Sequence, residues 1–316
     1  RYNKRGELVE MLDWNGTTTM ERDTIGRLTG VTDHNGRTTG FTYDAAGNRT
    51  GIQYADGSAA AFAYDRNNRL LKVTEGTEAS AERIEKITAQ YTYDAAGNVT
   101  SVMQPGSTAS YAYNANRQPI KASYRFGETV FMDEDLTYDV MGRITGTKRT
   151  GSNPEFARTA AYTYDAIGQL IAYRNGETTE AYTYDALGNR LTKSLNGIQK
   201  AACQYNALNQ LTALAEDGID YSFGYDKCGN LTEERRGDDI VRQYVYDTAG
   251  RMTLGKNIEN GEETAYTYNA LQMCVKNVQK RTAAEGLYSR EMQYIPDFLR
   301  TTNNELLAYE TDAGST

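Results

Sequence analysis

The sequence has little of what a thick hydrophobic core requires. Among 316 residues there are 7 phenylalanines, 1 tryptophan and 4 prolines, against 25 tyrosines and 29 glycines. The mean hydropathy is −0.68, and much of the 39% hydrophobic content is alanine and tyrosine. Because polar residues are interleaved with aromatic and β-branched ones, the composition is not that of a disordered chain. This balance favours a layer one sheet thick over a globule.

Basic clusters, long apolar runs and paired cysteines are also missing. The net charge of −8 argues against nucleic acid as a partner, since phosphate binding needs clustered lysine and arginine. The sequence contains no apolar run long enough for a membrane span and opens without a signal peptide, so we interpret it as a piece of a longer protein. Three cysteines, Cys203, Cys228 and Cys274, fit no metal motif and are expected to be free, partly buried thiols.

Catalytic constellations are absent from the sequence as well. The one histidine, His34, adjoins Asn35 and Gly36 and is expected to be an exposed turn residue. No serine lies in a nucleophile-elbow pattern, and the glycines are too evenly spread to form a phosphate loop. The aspartates favour turn capping over calcium binding, because calcium-binding β-rolls repeat about every nine residues. We therefore expect no enzymatic activity, no cofactor and no metal.

The sequence does contain an internal repeat, in which an aspartate or asparagine, usually after a tyrosine, recurs thirteen times. The commonest spacing is 20 to 22 residues, and glycine stands three residues after nine of these anchors. Six copies supply the structural repeat anchors that we single out: Tyr43, Asp44, Gly47; Tyr93, Asp94, Gly97; Tyr164, Asp165, Gly168; Tyr184, Asp185, Gly188; Tyr225, Asp226, Gly229; and Tyr246, Asp247, Gly250.

Two kinds of hairpin turn are expected to alternate along the chain. At each anchor, the Asp or Asn side chain accepts backbone N–H groups, and glycine supplies the left-handed residue of a three-residue loop with a bulge. Arg117 and Gln272 stand where glycine is expected, so those two turns are predicted to be less regular. Between anchors, Asn-Gly or Asp-Gly predicts type I′ turns at 15–16, 35–36, 56–57, 175–176, 196–197, 217–218 and 260–261.

Strands of about seven residues between these turns alternate as a half-buried sheet does. An apolar residue such as Phe41 stands two positions before each anchor tyrosine and shares its face. Columns of aromatic rings are therefore expected, and loss of Tyr184 is expected to destabilise more than loss of Tyr173 near a turn. The longer intervals at 75–88, 127–135 and 150–160 are expected to be extended loops, of which 75–88 could include a helical turn.

Thirteen hairpins give about 26 strands, whereas open twisted sheets seldom exceed about ten without curling. The expected fold class is therefore all-β. We predict a repeat array of antiparallel β-hairpins that winds as a curved or spiral sheet. Residues 1–316 would form one segment of a partial hollow β-shell.

The Tyr-Asp-Ala-x-Gly-Asn pattern resembles the YD or RHS (rearrangement hotspot) repeats of bacterial polymorphic toxins, insecticidal Tc toxins and animal teneurins. The resemblance covers the whole chain, and the stretch from Tyr294 to Leu307 looks like the family's last repeat. It implies a scaffold, a shell wall that encloses a C-terminal polypeptide, often a toxin. The implied parent is secreted or lies at the bacterial cell surface, with its core and toxin domains beyond this segment.

The partners that this resemblance implies are the parent's own C-terminal polypeptide and the remaining shell. An alternative is an adhesion or carbohydrate-binding module, whose partners would be cell-surface glycans or proteins, since exposed tyrosines stack well on sugars. Both functions stay open, because alternation defines two faces of a sheet and does not say which one is concave.

Overall fold

The computed structural model of the chain describes residues 1–77, 86–283, 286–296 and 305–312. In these ranges the structure is all-β with no α-helix, and a single 3-10 turn, Pro154–Phe156, is the one helical element. The expected fold class is therefore confirmed. Most of the interval 75–88 and most of the stretch from Tyr294 to Leu307 lie outside the described residues.

The described strands number twenty-seven and alternate with short turns. The first thirteen are β1 (Glu10–Asp13), β2 (Gly16–Arg22), β3 (Leu28–Thr32), β4 (Thr38–Tyr43), β5 (Arg49–Gln53), β6 (Ser58–Tyr64), β7 (Leu70–Thr77), β8 (Lys86–Tyr93), β9 (Val99–Gln104), β10 (Ser107–Tyr113), β11 (Pro119–Phe126), β12 (Thr129–Tyr138) and β13 (Ile144–Gly151). The others are β14 (Arg158–Tyr164), β15 (Leu170–Asn175), β16 (Thr178–Tyr184), β17 (Arg190–Leu195), β18 (Ile198–Tyr205), β19 (Leu211–Glu216), β20 (Ile219–Tyr225), β21 (Leu231–Arg236), β22 (Asp239–Tyr246), β23 (Met252–Asn257), β24 (Glu262–Tyr268), β25 (Cys274–Ala283), β26 (Gly286–Pro296) and β27 (Glu305–Asp312).

The chain divides into two compact units. The first unit comprises 2–9 and 19–181, and the second comprises Arg1, 10–18 and 182–316. In the first unit consecutive strands pair antiparallel from β3 onward, as β4 does with β5. In the second unit the same order holds from β17 to β27. Each unit is thus built of consecutive hairpins, as the two alternating kinds of turn require.

The anchor loops, each defined as the five residues from an anchor Asp or Asn onward, share one backbone pattern. In loop 44–48 the Asp44 N–H donates to the Asn48 carbonyl (3.0 Å) and the Gly47 N–H donates to the Asp44 carbonyl (3.2 Å). Gly47 has a φ of 91°, and the strand register shifts at Tyr43. The predicted three-residue loop with a bulge and a left-handed glycine is therefore confirmed.

Arg117 and Gln272 occupy the left-handed position of equally regular loops. Their φ angles are 62° and 65°. The N–H of each donates to the anchor carbonyl, of Asn114 (3.0 Å) and of Asn269 (2.9 Å) respectively. The prediction of less regular turns was wrong. The loop's hydrogen bonds outweigh the cost of a left-handed side chain, which is roughly 1–2 kcal/mol.

The turns between anchor loops are less uniform than Asn-Gly and Asp-Gly suggested. Both central φ angles are positive at 196–197 and 217–218, as type I′ requires, whereas at the other five sites the residue before glycine is not left-handed. At Asp33 the prediction was wrong because an aspartate also stands three residues before Gly36. The turn therefore forms an anchor-type loop. The Asp33 N–H donates to the Arg37 carbonyl (3.0 Å), and the Gly36 N–H donates to the Asp33 carbonyl (2.9 Å).

One of the expected extended loops is largely strand, and a second is shorter than expected. Residues 127–135 form a tight turn at Gly127 and the start of β12, which pairs with β11. In 150–160, β13 continues to Gly151 and β14 begins at Arg158, so that a loop with the 3-10 turn occupies only the interval between them. The prediction was wrong for 127–135 and held in part for 150–160, because lengthened strands accommodate much of the extra sequence.

The core is thin and lies on the tyrosine face of the sheet. Phe41 is 5% exposed, whereas Thr42, which points to the other face, is exposed. Of the fourteen buried hydrophobic residues among those described, five are alanines. Four of these, Ala60, Ala89, Ala160 and Ala201, stand four positions before an anchor tyrosine and so share its face. A layer of half-buried tyrosines over small side chains replaces the thick aliphatic core of a globule.

Candidate functional site: the anchor loops

The anchor carboxylate organises each loop through hydrogen bonds. Asp44 accepts the Asn48 backbone N–H at Oδ1 (2.8 Å) and the Asn48 side-chain amide at Oδ2 (2.9 Å). The side-chain bond is the largest effect that holds the pKa of Asp44 below its ordinary value, and it acts against partial burial. The pKa values of Asp94, Asp185 and Asp226 are lowered in the same way by Asn98, Asn189 and Asn230.

The six selected triplets occupy equivalent positions in six separate anchor loops. Each aspartate N–H donates to the carbonyl four residues on, at 2.9 to 3.0 Å. The φ angles are 91° at Gly47, 89° at Gly97, 94° at Gly168, 89° at Gly188, 89° at Gly229 and 76° at Gly250. Within each unit the triplets thus lie at the tips of separate loops.

The fifth residue of the loop binds the anchor side chain, a role that was not predicted from the sequence. It is arginine at 27, 37, 69, 143 and 251, asparagine at 48, 98, 189 and 230, and glutamine at 118, 169 and 210. The arginines bind the anchor carboxylate of their own loop, as Arg69 Nε does at Asp65 Oδ2 (2.7 Å). The signal was present in the sequence, because this position is polar in nearly every copy.

The same fifth residue also contacts the next anchor loop. Arg69 donates from Nη1 to the Asp94 carbonyl (3.2 Å), and its guanidinium lies 4.6 Å from the centroid of the Tyr93 ring. Equivalent bonds join Arg27 to Asp44 (2.9 Å), Arg143 to Asp165 (3.2 Å) and Arg251 to Asn269 (3.5 Å). Shorter fifth residues also donate to the next loop. Asn48 and Asn189 donate to the side-chain carbonyls of Asn68 (2.8 Å) and Asn209 (3.2 Å). Gln118 and Gln210 donate to the backbone carbonyls of Gly142 (3.4 Å) and Gly229 (3.3 Å).

The anchor tyrosine supplies a second link between repeats. Tyr93 donates its hydroxyl to the Leu70 carbonyl (2.6 Å), which lies five residues after the preceding anchor. The same bond joins Tyr43 to Leu28, Tyr64 to Arg49, Tyr113 to Val99, Tyr138 to Pro119, Tyr164 to Ile144, Tyr205 to Arg190, Tyr225 to Leu211 and Tyr268 to Met252, at 2.6 to 3.1 Å. Partial burial raises the pKa of Tyr93 and of Tyr225, which keeps these donors protonated.

Arginine stacking takes the place of the expected ring-on-ring columns at several anchors. Arg27, Arg69, Arg143 and Arg251 each lie 4.6 to 4.8 Å from the ring centroid of the next anchor tyrosine. Ring pairs occur instead within hairpins, as between Tyr162 and Tyr173 at 5.4 Å. Tyr173 is therefore a half-buried packing residue, and the reason for expecting its loss to cost less than that of Tyr184 does not hold.

The residues expected to be chemically inert lie apart from one another. His34 is exposed and contacts the side chain of Asn35 (3.2 Å). The three cysteines are free, as expected, but Cys228 is exposed because the third position of an anchor loop faces solvent. Within the described ranges, no group of three or more His, Cys, Asp or Glu side chains is placed to hold a metal ion. The same ranges contain no helix with the length and apolarity needed to cross a membrane.

Family models and known proteins agree with this repeat geometry. The Teneurin YD-shell model matches residues 117–272, and the RHS repeat model matches 22–59 and 88–129. The chain is 28% identical over 139 residues to the double-stranded DNA deaminase toxin A of Burkholderia cenocepacia (strain H111). The matched region covers 44% of this chain and 10% of that protein.

Solved structures of Tc toxins share the fold. The crystal structure of TcdB2-TccC3-Cdc42 matches with 18% identity and a TM-score of 0.63, over 92% of this chain and 18% of that one. A Photorhabdus luminescens Tc holotoxin pore matches with 17% identity and a TM-score of 0.61, over 96% of this chain and 20% of that one. The chain therefore spans a fifth or less of the length of these relatives. Its repeats, its loop geometry and its fold thus resemble those of YD-shell and RHS-repeat proteins.

Proposed function

We propose that this chain is a wall segment of a β-shell that encloses the C-terminal polypeptide of its parent protein, a toxin, and that it catalyses no reaction. The observation that carries the proposal is the ladder of loop-to-loop links. Arg69 ties its own loop to the loop at Asp94, and Tyr93 ties back to Leu70. Residues 1–316 would form one segment of the wall, and the anchor triplets would join its successive repeats.

The use of the tyrosines favours a wall over an adhesive surface. A tyrosine that binds a sugar or a partner needs a free ring face and a free hydroxyl. Here the hydroxyls of Tyr43, Tyr93, Tyr164 and Tyr268 donate to backbone carbonyls, and arginines stack on the rings. The names of the relatives described above refer to no glycan partner.

The names of the relatives support the cargo and the location. One is a DNA deaminase toxin and others are Tc toxin assemblies. By analogy, the parent of this chain would be secreted or exposed at the bacterial surface, and its partners would be its own C-terminal toxin and the remaining shell.

Limited proteolysis of the parent protein tests the proposal. The C-terminal segment should be digested slowly in the intact parent and rapidly once residues 43–246 are deleted. Equal digestion rates in the two proteins would contradict encapsulation. The isolated C-terminal segment serves as the control for intrinsic protease sensitivity.

A second measurement does not depend on a deletion. In a urea series on the intact parent, the C-terminal segment should become protease-sensitive over the same range in which the repeats unfold. A point variant that weakens the ladder, such as Arg69→Lys, should shift both transitions together. If the C-terminal segment becomes sensitive at unchanged urea while the repeats unfold earlier, the wall does not protect it.

A further inference from the structure

Five Asn-Gly dipeptides lie at turns of this chain, and each is a candidate for spontaneous loss of its side-chain amide. They begin at Asn15, Asn35, Asn175, Asn196 and Asn260. In this reaction the backbone nitrogen of the glycine attacks Cγ of the asparagine. The attack needs a glycine N–H that is free of hydrogen bonds and an asparagine side chain that can turn toward it. The folded structure therefore decides which of the five reacts.

Four of the dipeptides are restrained. At three of them a hydrogen bond fixes one reacting group, and these bonds run from Asn15 Nδ2 to the Tyr268 carbonyl (3.1 Å), from the Gly36 N–H to the Asp33 carbonyl (2.9 Å) and from the Glu262 N–H to Asn260 Oδ1 (3.0 Å). At the fourth, Asn196 has a φ of 50°, and this left-handed conformation turns the Gly197 nitrogen away from the Asn196 side chain. Each of the four must open locally before the glycine nitrogen can attack.

Asn175 and Gly176 are not restrained in this way. Asn175 is the last residue of β15 and pairs with Thr178 across a two-residue turn, in which Gly176 has a φ of 60°. Gly176 is exposed, and its carbonyl accepts Arg174 Nε (3.2 Å), a bond that leaves its N–H unused. In the described parts of the chain, neither that N–H nor the Asn175 side chain has a hydrogen-bond partner. Both reacting groups are therefore available without local opening.

We propose that Asn175 is a site of spontaneous deamidation, with water as the co-reactant. The Gly176 nitrogen loses its proton and forms a bond to Asn175 Cγ. The Cγ–Nδ2 bond breaks, and the amide nitrogen leaves as ammonia, which carries away that proton. The product is a five-membered succinimide ring, which takes up one water molecule at either of its carbonyls. Ring opening breaks the bond from the nitrogen to that carbonyl carbon and gives aspartate or isoaspartate.

Isoaspartate at position 175 changes the hairpin as well as its charge. The main chain then runs through the former side chain and is one carbon longer, immediately before the two-residue turn. Because such turns fix strand register through an exact number of backbone atoms, the pairing of residue 175 with Thr178 is disrupted. The inference goes beyond the proposed shell function and does not depend on it.

Ageing of the intact chain, followed by mass spectrometry of its tryptic peptides, tests this site. A lysine or arginine separates each dipeptide from the next, so the five conversions are measured independently. Asn35, Asn196 and Asn260 are more exposed than Asn175. Asn175 should nevertheless convert at least about fivefold faster, because the others must first break a hydrogen bond or leave a left-handed conformation. Both aspartate and isoaspartate should appear at position 175.

Two controls make the outcome decisive. In urea the unfolded chain should convert all five dipeptides at similar rates, since no fold then restrains them. Gly176→Ala adds a Cβ that meets nothing within 4 Å, so it crowds only the attacking nitrogen. This variant should convert several times more slowly at Asn175 and at unchanged rates elsewhere. Equal rates at the five dipeptides of the folded chain, faster conversion at a more exposed one, or aspartate without isoaspartate at position 175 overturns the proposal.

Discussion

The guanidinium of Arg69 lies over the ring of Tyr93 in the next anchor loop, 4.6 Å from the ring centroid. The same guanidinium pairs with Asp65 in its own loop (2.7 Å) and donates to the Asp94 carbonyl in the next (3.2 Å). One side chain thus combines an ion pair, a hydrogen bond and a cation–π contact. Planar guanidinium geometry is what allows the three contacts to coexist.

Replacement of Arg69 by lysine is expected to destabilise the chain by about 1–3 kcal/mol. An ammonium group keeps the charge but cannot donate to two loops and stack on a ring at once. The measurement is the free energy of unfolding from urea denaturation. Arg66→Lys, at an exposed position of the same loop, is the matched control and should change stability by less than about 0.5 kcal/mol. Equal effects at both positions would show that Arg69 acts only as a surface charge.

Loss of the Tyr93 hydroxyl is expected to cost about 0.5–1.5 kcal/mol in Tyr93→Phe. The substitution keeps the ring under Arg69 and removes only the bond to the Leu70 carbonyl (2.6 Å). Tyr288, which is 55% exposed, provides the control, since Tyr288→Phe should leave the urea midpoint unchanged. If Tyr93→Phe does not change the free energy of unfolding, the packing of the ring alone stabilises the contact between the two repeats.

The loop chemistry was predictable from local sequence, and the links between loops were not. Asp44 and Gly47 reveal their roles at a spacing of three residues, because turn geometry is local. The contact of Arg69 with Tyr93 depends on which hairpin lies alongside, so sequence near Arg69 shows only that the position is polar. Trp14 carries no local signal at all for its bond to Tyr268, which a distant part of the chain supplies.

Two failures of prediction show tertiary structure overriding local preference. Arg117 lacks the glycine that its loop position favours, yet the N–H bond to Asn114 holds it left-handed. The pair at 35–36 has the composition of a type I′ turn. The aspartate at 33 competes for the same backbone N–H groups and forms an anchor-type loop instead. In both cases hydrogen bonds of the whole loop decide, and dipeptide preference does not.

Acid should destabilise the array through its anchor carboxylates. The hydrogen bond from the Asn230 side chain is the main cause that lowers the pKa of Asp226 from 3.8. Since the folded pKa is lower than the unfolded one, this stabilisation is complete above the unfolded pKa and is lost as pH falls through the folded pKa. The free energy of unfolding should therefore decrease as the pH falls below about 4. The Asp226→Asn variant should lose less stability than the wild type over that range.

The reverse substitution supplies the control for this pH dependence. Asn206 is already an amide at the same position of the preceding loop, so Asn206→Asp adds a carboxylate where none was. Urea midpoints measured from neutral pH to below about pH 4 should fall more steeply for this variant than for the wild type. Parallel pH profiles for wild type and both variants would contradict a role for the anchor carboxylates in acid sensitivity.

A glutamine at position 273 is expected to stabilise the second unit by about 1 kcal/mol. Asn269 Nδ2 is buried and has no hydrogen-bond partner among the described residues. In equivalent loops Asn114 and Asn206 donate to the side-chain carbonyls of Gln118 (2.8 Å) and Gln210 (2.7 Å), whereas methionine occupies that position here. Met273→Gln should raise the melting temperature, and Gln210→Met should lower it by removing the corresponding bond. If Met273→Gln leaves the melting temperature unchanged while Gln210→Met lowers it, Asn269 Nδ2 already has its partner in water.

Glycine at position 117 is expected to stabilise the chain by up to about 1 kcal/mol. Arg117 is exposed and has a φ of 62°, a conformation that costs a side chain roughly 1–2 kcal/mol and costs glycine nothing. Part of that gain is offset because glycine gives the unfolded chain more freedom, worth about 0.4–1 kcal/mol. Gly97→Ala is the matched test in the opposite direction, since its φ is 89° and an added Cβ would meet nothing closer than Arg69 Nη1 at 4.0 Å. It should destabilise by the conformational cost alone. If urea unfolding finds Arg117→Gly destabilising, the Arg117 side chain contributes a contact that outweighs its backbone strain.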